Sequence, residues 1–183
     1  SIKPKVQVLE DHMQRPVYYA QDPMQELTAR REVSQETNGV FTLGPLLSQL
    51  IDFYEKQFLN LADSFAADPY RFPTLIPAKY MDRVGYFKAF PQSLSFATHL
   101  RGDLDVIDHF AQHACAEGHD LIAPQGSFAN LQTLLSPAVC YHLYFAMADR
   151  PLAGGRAVAT AVGNCFRYEG INLSSLERLW NFT

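Results

Sequence analysis

The sequence predicts an α+β domain in which helices are interspersed among short strands. Three observations predict it. Between Leu43 and Phe65, apolar side chains recur at three and four residues (Leu46, Leu47, Leu50, Ile51, Tyr54, Phe58, Leu61, Phe65), the period of an amphipathic helix. Directly after it, YRFPTLIPA is a short apolar run whose Pro73 and Pro77 suit an edge strand or a strand end, because proline cannot donate to a ladder. Toward the end, RAVATAVGNCFRYE alternates small or polar with apolar residues, the period of a strand.

The remaining elements follow in order. Residues 1–40 are polar and carry Pro4, Pro16 and Pro23, so an arm or peripheral helix is expected, with one short helical candidate from Met24 to Val33. Asp68 and Pro69 are expected to stop the long helix. GYFKAFPQSLSFATHL is aromatic and mixed, which suits strand and loop. A helix is predicted from Asp105 to Glu117, ended by Gly118. Ser136 and Pro137 are expected to open another, SPAVCYHLYFAMADR, with the serine as cap and the proline at the first helical position. Gly163 in the last strand is expected to let another backbone approach closely.

Composition limits the function classes. A chain of 183 residues, 48% apolar and 19% charged, can build one sizeable core, so one main domain (41–183) is expected after the arm. A net charge of −4 argues against a protein that coats nucleic acid. With no run of about 18 apolar residues and no basic-then-apolar leader pattern, neither a membrane span nor a signal peptide is predicted, and the expected location is cytoplasmic. Cys115, Cys140 and Cys165 are widely spaced and odd in number, which fits free thiols or a metal ligand better than a disulfide framework.

The chemistry concentrates at the end of the chain, in GNCFRYEGINLSSLERLWNFT. In a strand, residues two apart share a face, so Arg167 and Glu169 point the same way. If a turn through Ile171 to Leu176 sends the chain back, Arg178, Trp180 and Phe182 share a face as well. Guanidinium groups hold phosphate oxygens in charge-assisted forks, an aromatic stacks on a base, and a carboxylate orients an amine. Those are the needs of a bound nucleotide triphosphate. Arg and Glu at this spacing are also common as solvated cross-strand pairs, and spacing alone leaves both readings open.

FRYE, a loop and then ERLWNF resemble motif 2 of the class II aminoacyl-tRNA synthetases (here 156–183), and LGPLLSQLIDFYEKQFLNLADSF with YRFPTLIPA resembles motif 1 (here 43–80), the helix and proline-bearing strand of the dimer interface in that class. More narrowly, FPTLIPAKYMDRVGYFKAFPQSLSFATHL together with LSPAVCYHLYFAMADRPL resembles the amino acid:[carrier protein] ligases, relatives of the zinc-dependent seryl-tRNA synthetases. The match runs from Asn38 to Thr183. It implies an antiparallel sheet flanked by helices, a homodimer, and an enzyme that adenylates glycine or alanine with ATP and passes it to the phosphopantetheine thiol of a carrier protein, without tRNA or membrane.

Residue by residue, the resemblance implies that Arg167 contacts the ATP α-phosphate, Glu169 lies near the adenine amine, Arg178 holds the distal phosphates and Phe182 stacks on adenine. It implies zinc, with Cys140 as the first thiolate, and magnesium beside ATP. Of the two motif 1 prolines, Pro77 is favoured as the family's position over Pro73. The family's remaining zinc ligands and its motif 3 have no counterpart in these residues, so the chain is expected to be the front portion of such a ligase and inactive alone. The runner-up readings are a zinc-dependent seryl-tRNA synthetase and a non-catalytic module that dimerises or binds a partner.

Other candidates are weaker. His109 and His113 have the i, i+4 spacing of a metal pair and cluster with Cys115 and His119, but the carboxylate of an HExxH motif is missing and a partly exposed helix face is favoured. Cys115 and Cys165 are expected as buried small hydrophobes, with Cys165 on the Arg167 face where it can line the pocket. His142 is about 200° around the helix from Cys140, which does not favour a shared metal. Asp103, Asp105 and Asp108 are expected to cap or flank a helix start. Gly154 and Gly155 lack the lysine and hydroxyl of a Walker loop and are read as a turn.

Overall fold

The computed structural model describes residues 23–37, 40–168 and 181–182. The first elements are α1 (Met24–Ala29) and an antiparallel hairpin of β1 (Val33–Thr37) and β2 (Val40–Leu43). Then comes α2 (Pro45–Ser64). Pro45 stands at its first turn, where its missing N–H is no loss, and the free Leu46 and Leu47 amides donate to Glu32 Oε2 at 2.9 and 3.2 Å. A carboxylate on the positive end of the helix is also electrostatically favoured.

The long helix ends before Asp68 and Pro69 rather than at them. Ala66 takes a left-handed φ of 54°, and Asp68–Tyr70 becomes β3, an edge strand on which a proline is tolerated. YRFPTLIPA is therefore not one strand. It breaks at Pro73, and the second piece is β4 (Leu75–Pro77), which ends on Pro77 as α3 (Ala78–Arg83) begins. The stretch after it folds as α4 (Tyr86–Ala89), a 3-10 turn and β5 (Phe96–Ala97).

Two predicted helices are shorter than expected. α5 runs Leu104–His113, and Cys115–Glu117 is instead β6, paired antiparallel with β7 (Asp120–Ile122). Gly118, with φ 61°, turns that hairpin rather than capping the helix. Next is β8 (Thr133–Leu135), then α6, which begins at Cys140 and not at Ser136. The reason is that Ser136 is still held in the sheet: its N–H donates to Thr74 C=O at 2.8 Å and its C=O accepts from Phe166 N–H at 2.9 Å. Its hydroxyl donates to Ala138 C=O rather than to a helix amide. The last strands are β9 (Ala159–Gly163), shorter than the predicted run, and β10 (Asn181–Phe182).

The sheets are mainly antiparallel, as predicted. β4–β8–β5 is wholly so, while in β10–β9–β3 the β10–β9 pair is antiparallel and β3–β9 parallel. Ile76, Met81 and Leu134, each at 0% exposure, form the main core with Tyr86 and Leu94. A second cluster joins Val139, Ala161 and Cys165. Alternate β9 residues point to opposite faces: Ala161 meets Val139 beside α6, whereas Thr160 and Val162 border Leu59 and Ala62 of α2. The sheet thus lies between α2 and α6. No helix among the described residues is long and apolar enough to cross a membrane.

Candidate functional site

The segment that follows β9 is fixed at two points. Phe166 N–H donates to Ser136 C=O, and Tyr168 N–H donates to Ser93 C=O at 3.0 Å. Arg167 sits between these anchors, and the first of them ties its segment to the loop that opens α6. Cys140 and Tyr141 begin that helix. The Tyr141 hydroxyl is pushed up from its ordinary range, first by burial and then by Tyr86 and Cys140, while the Arg167 charge pulls the other way. Arg167 and Cys140, far apart in sequence, therefore act on one phenol.

Tyr141 itself is braced from below. Its ring meets Tyr86 edge-on at 5.7 Å, and the Tyr86 hydroxyl shares a 3.1 Å hydrogen bond with Ser93 Oγ, whose own hydroxyl donates to Phe90 C=O. Ser93 thus supports the tyrosine pair through its side chain and the Arg167 segment through its carbonyl. Sequence reasoning missed Tyr141 and Ser93. The only available signal was the position of Tyr141 beside Cys140 in SPAVCYH.

The other candidates are placed as follows. Phe182 is located by its backbone, opposite Val162 in the register, with Asn181 opposite Gly163, so a strand does return antiparallel on β9. Glu169 and Arg178 lie outside the described residues. Cys165 is buried at 1% exposure against Val139 and Ala161, as expected of a small hydrophobe. Cys115 is not: it is exposed on β6, in a hairpin whose residues are all exposed. His109 and His113 have ring centroids 4.3 Å apart on α5, with His113 Nδ1 2.9 Å from the His109 carbonyl oxygen, in accord with an exposed helix face. Asp103 precedes α5 without a side-chain cap bond and pairs with Arg101 at 2.7 Å. Gly154 and Gly155 have left-handed φ values of 66° and 69°, as a turn needs. Gly163 is approached by the Val139 side chain rather than by a backbone.

Cys140 borders a narrow apolar crevice of about 10 Å³ with Tyr70, Phe72, Val139 and Leu143. Among the described residues no three His, Cys, Asp or Glu side chains are grouped to hold a metal. One thiol does not close a tetrahedral zinc site, so these residues alone do not fit the ion. Larger open clefts lie elsewhere among the described residues. One of about 640 Å³ is lined by Glu55, Arg71, Thr74, Thr160 and Asn164; another of about 750 Å³ lies among Phe65, Asp68, Met147, Arg150 and Arg156. Neither includes Arg167 or Cys140.

No family profile matches the chain. It is 26% identical over 162 residues to amino acid–[acyl-carrier-protein] ligase 1 of Bradyrhizobium diazoefficiens, covering 88% of this chain and 48% of that protein. The chain thus spans about half the length of the curated relative it matches. Among solved structures, M. kandleri SerRS in complex with A. aeolicus tRNASec superposes with a TM-score of 0.75 at 21% identity, over 96% of this chain and 35% of that one. The chain therefore has the α+β fold of the class II synthetases and is similar, over most of its length, to an amino acid–[acyl-carrier-protein] ligase.

Proposed function

We propose that the chain is part of an ATP-dependent ligase that activates glycine or alanine and delivers it to the phosphopantetheine thiol of a carrier protein. In the first step an amino-acid carboxylate oxygen attacks the α-phosphorus, and pyrophosphate leaves. In the second, the thiolate attacks the carbonyl carbon and AMP leaves. Arg167 offsets the charge that builds on the α-phosphate oxygens as the first bond forms. Glu169, Arg178 and Phe182 are proposed to hold adenine and the distal phosphates, with magnesium on the phosphates. Zinc enters only as the proposed ion of the intact protein, with Cys140 as one ligand.

The single observation that supports this reading is the Phe166–Ser136 hydrogen bond, which brings the Arg167 segment against the turn that carries Cys140. The carrier protein comes from the name of the Bradyrhizobium relative. A homodimer through α2 is part of the proposal, because that helix buries no residue of its own.

ATP–pyrophosphate exchange by the intact protein tests it, with glycine, alanine and serine in parallel. Exchange with glycine or alanine, followed by a mass increase of a phosphopantetheinylated carrier protein, is the expected result. Exchange with serine alone would favour the seryl-tRNA synthetase reading that the solved structure suggests. No exchange with any of them would leave a non-catalytic binding module. Arg167→Ala is expected to lower exchange by about a hundredfold or more, and Arg167→Lys to restore little of it, since an ammonium lacks the planar fork.

A further inference from the structure

α5 turns Val106 and Phe110 inward, where both are half-buried and the Phe110 ring meets Phe128 edge-on at 6.1 Å. His109 and His113 are exposed and, four residues apart, share one face of the helix. Their ring centroids are 4.3 Å apart. The His113 Nδ1 lies 2.9 Å from the His109 carbonyl oxygen. A carbonyl can only accept, so Nδ1 carries the proton and donates it, and in the neutral ring the lone pair is left on Nε2.

We propose that His109 and His113 form a paired-imidazole site for one divalent ion of the copper, nickel or zinc type, with water in the remaining positions. Separation, support and charge all favour it. Imidazoles bound side by side to one ion at about 2.0–2.1 Å have centroids about 4.5–5 Å apart, and the rings are already close to that. The Nδ1 bond to a backbone carbonyl is the support that metal-bound histidines ordinarily have, since it fixes the tautomer and the ring orientation. His113 is the last residue of α5, where the carbonyl ends of the helix favour a cation, and Asp105, one turn before His109, adds negative charge on the same face. Imidazole nitrogen suits these ions, whereas magnesium and calcium take oxygen ligands.

Among the described residues no third His, Cys, Asp or Glu completes a cage around the pair. The ion therefore keeps positions open to water, unlike a closed structural zinc site. The pair stands on a different helix from Cys140, which begins α6. The inference does not depend on the adenylation reading: an exchange assay can fail while the pair still binds its ion.

Nickel(II) calorimetry of the full chain, together with zinc(II) titration of its histidine side-chain 1H–15N spectra, tests it. A saturable nickel site is expected, weakened about tenfold or more in His109→Ala and in His113→Ala, because loss of either imidazole removes the intramolecular second bond. His119→Ala and Cys115→Ser, which alter the neighbouring hairpin, are expected to bind nickel as the parent does, and excess magnesium is not expected to compete. With zinc, Nε2 of both rings is expected to shift together while Nδ1 of His113 stays protonated. No saturable site, full affinity in either His109→Ala or His113→Ala, an equal loss in His119→Ala or Cys115→Ser, competition by magnesium, or zinc shifts confined to one ring would overturn the proposal.

Discussion

Two apolar regions of this molecule are built from similar residues and treated in opposite ways. Ile76, Met81 and Leu134 are withdrawn completely from solvent, whereas α2 has no buried residue along its entire length. The difference lies in how many sides each is covered from. The Ile76 cluster is enclosed by β4, β8, α3 and the loops after them, with Tyr80, Phe87, Tyr141 and Phe145 around its rim. α2 packs against one face of the sheet, at β9. Its Leu47, Ile51, Glu55, Leu59 and Ala62 are half-buried, with Leu59 and Ala62 beside β9, while Leu46, Leu50, Tyr54, Phe58, Leu61 and Phe65 form a second, exposed row. Exposed apolar side chains lined up along one helix mark a surface suited to a protein contact, which is why a second copy is proposed there.

The largest effect that would sharpen this contrast is in the core. Met81→Ala removes a side chain with 0% exposure and leaves a cavity, so a loss of about 2–5 kcal/mol is expected in urea unfolding. If the cost is under about 1 kcal/mol, the cluster is not the self-sufficient core described. The matching change on α2 is Leu50→Asp with Phe58→Asp, at 46% and 47% exposure. In sedimentation velocity this variant is expected to be monomeric where the parent self-associates, while circular dichroism still shows a folded chain. Unchanged association would show that the exposed row is not the interface.

A smaller effect concerns how α2 begins. Glu32→Ala deprives the Leu46 and Leu47 amides of their acceptor and is expected to cost about 1 kcal/mol, the usual worth of an N-cap. Gly44 is part of the same arrangement, because a Cβ there would lie 2.7 Å from the Arg31 carbonyl oxygen and 2.6 Å from Glu32 Oε2. Helix amide exchange measured by NMR checks the cap: protection in the first turn of α2 should fall in Glu32→Ala and stay constant in its remaining turns.

What the sequence disclosed and withheld follows the same division. The period of α2 was legible because it is local, and so was the edge character of the proline-bearing strand. Which row of α2 is half-buried was not legible, since that row carries Glu55 while the exposed row is apolar throughout. The start of α6 was misjudged because Ser136 and Pro137 carry a good local capping signal, and what overrides it comes from Thr74 and Phe166, remote in sequence. Gly118 could serve a helix end or a hairpin with the same left-handed backbone, and pairing of β6 with β7 decided it. For the site, a motif named Arg167 and Cys140, and the fold brings the segments that carry them together. Tyr141 and Ser93 were invisible because their roles arise only from partners brought in by the fold.

The smallest expected effect tests the junction where α6 meets the sheet that carries α2 on its other face. Gly163→Ala introduces a Cβ 3.2 Å from Val139 Cγ2 and 3.9 Å from Cγ1. The contact is tight, and Val139 is only 3% exposed, packed on Ala161 and Cys165, so it has little room to retreat. A contact that needs Val139 to give by a few tenths of an ångström lies at the low end of overpacking, about 1 kcal/mol, and the loss of unfolded-chain freedom on replacing glycine returns about 0.4–1 kcal/mol. A net loss of at most about 1 kcal/mol is therefore expected. Because the strain belongs to one pair, Val139→Ala should relieve it, and the double mutant should be more stable than the sum of the singles by about 0.5–1 kcal/mol. Strict additivity in urea unfolding would mean that α6 shifts freely over β9, and the fixed approach of the Cys140 turn to the Arg167 segment would then lose its mechanical basis.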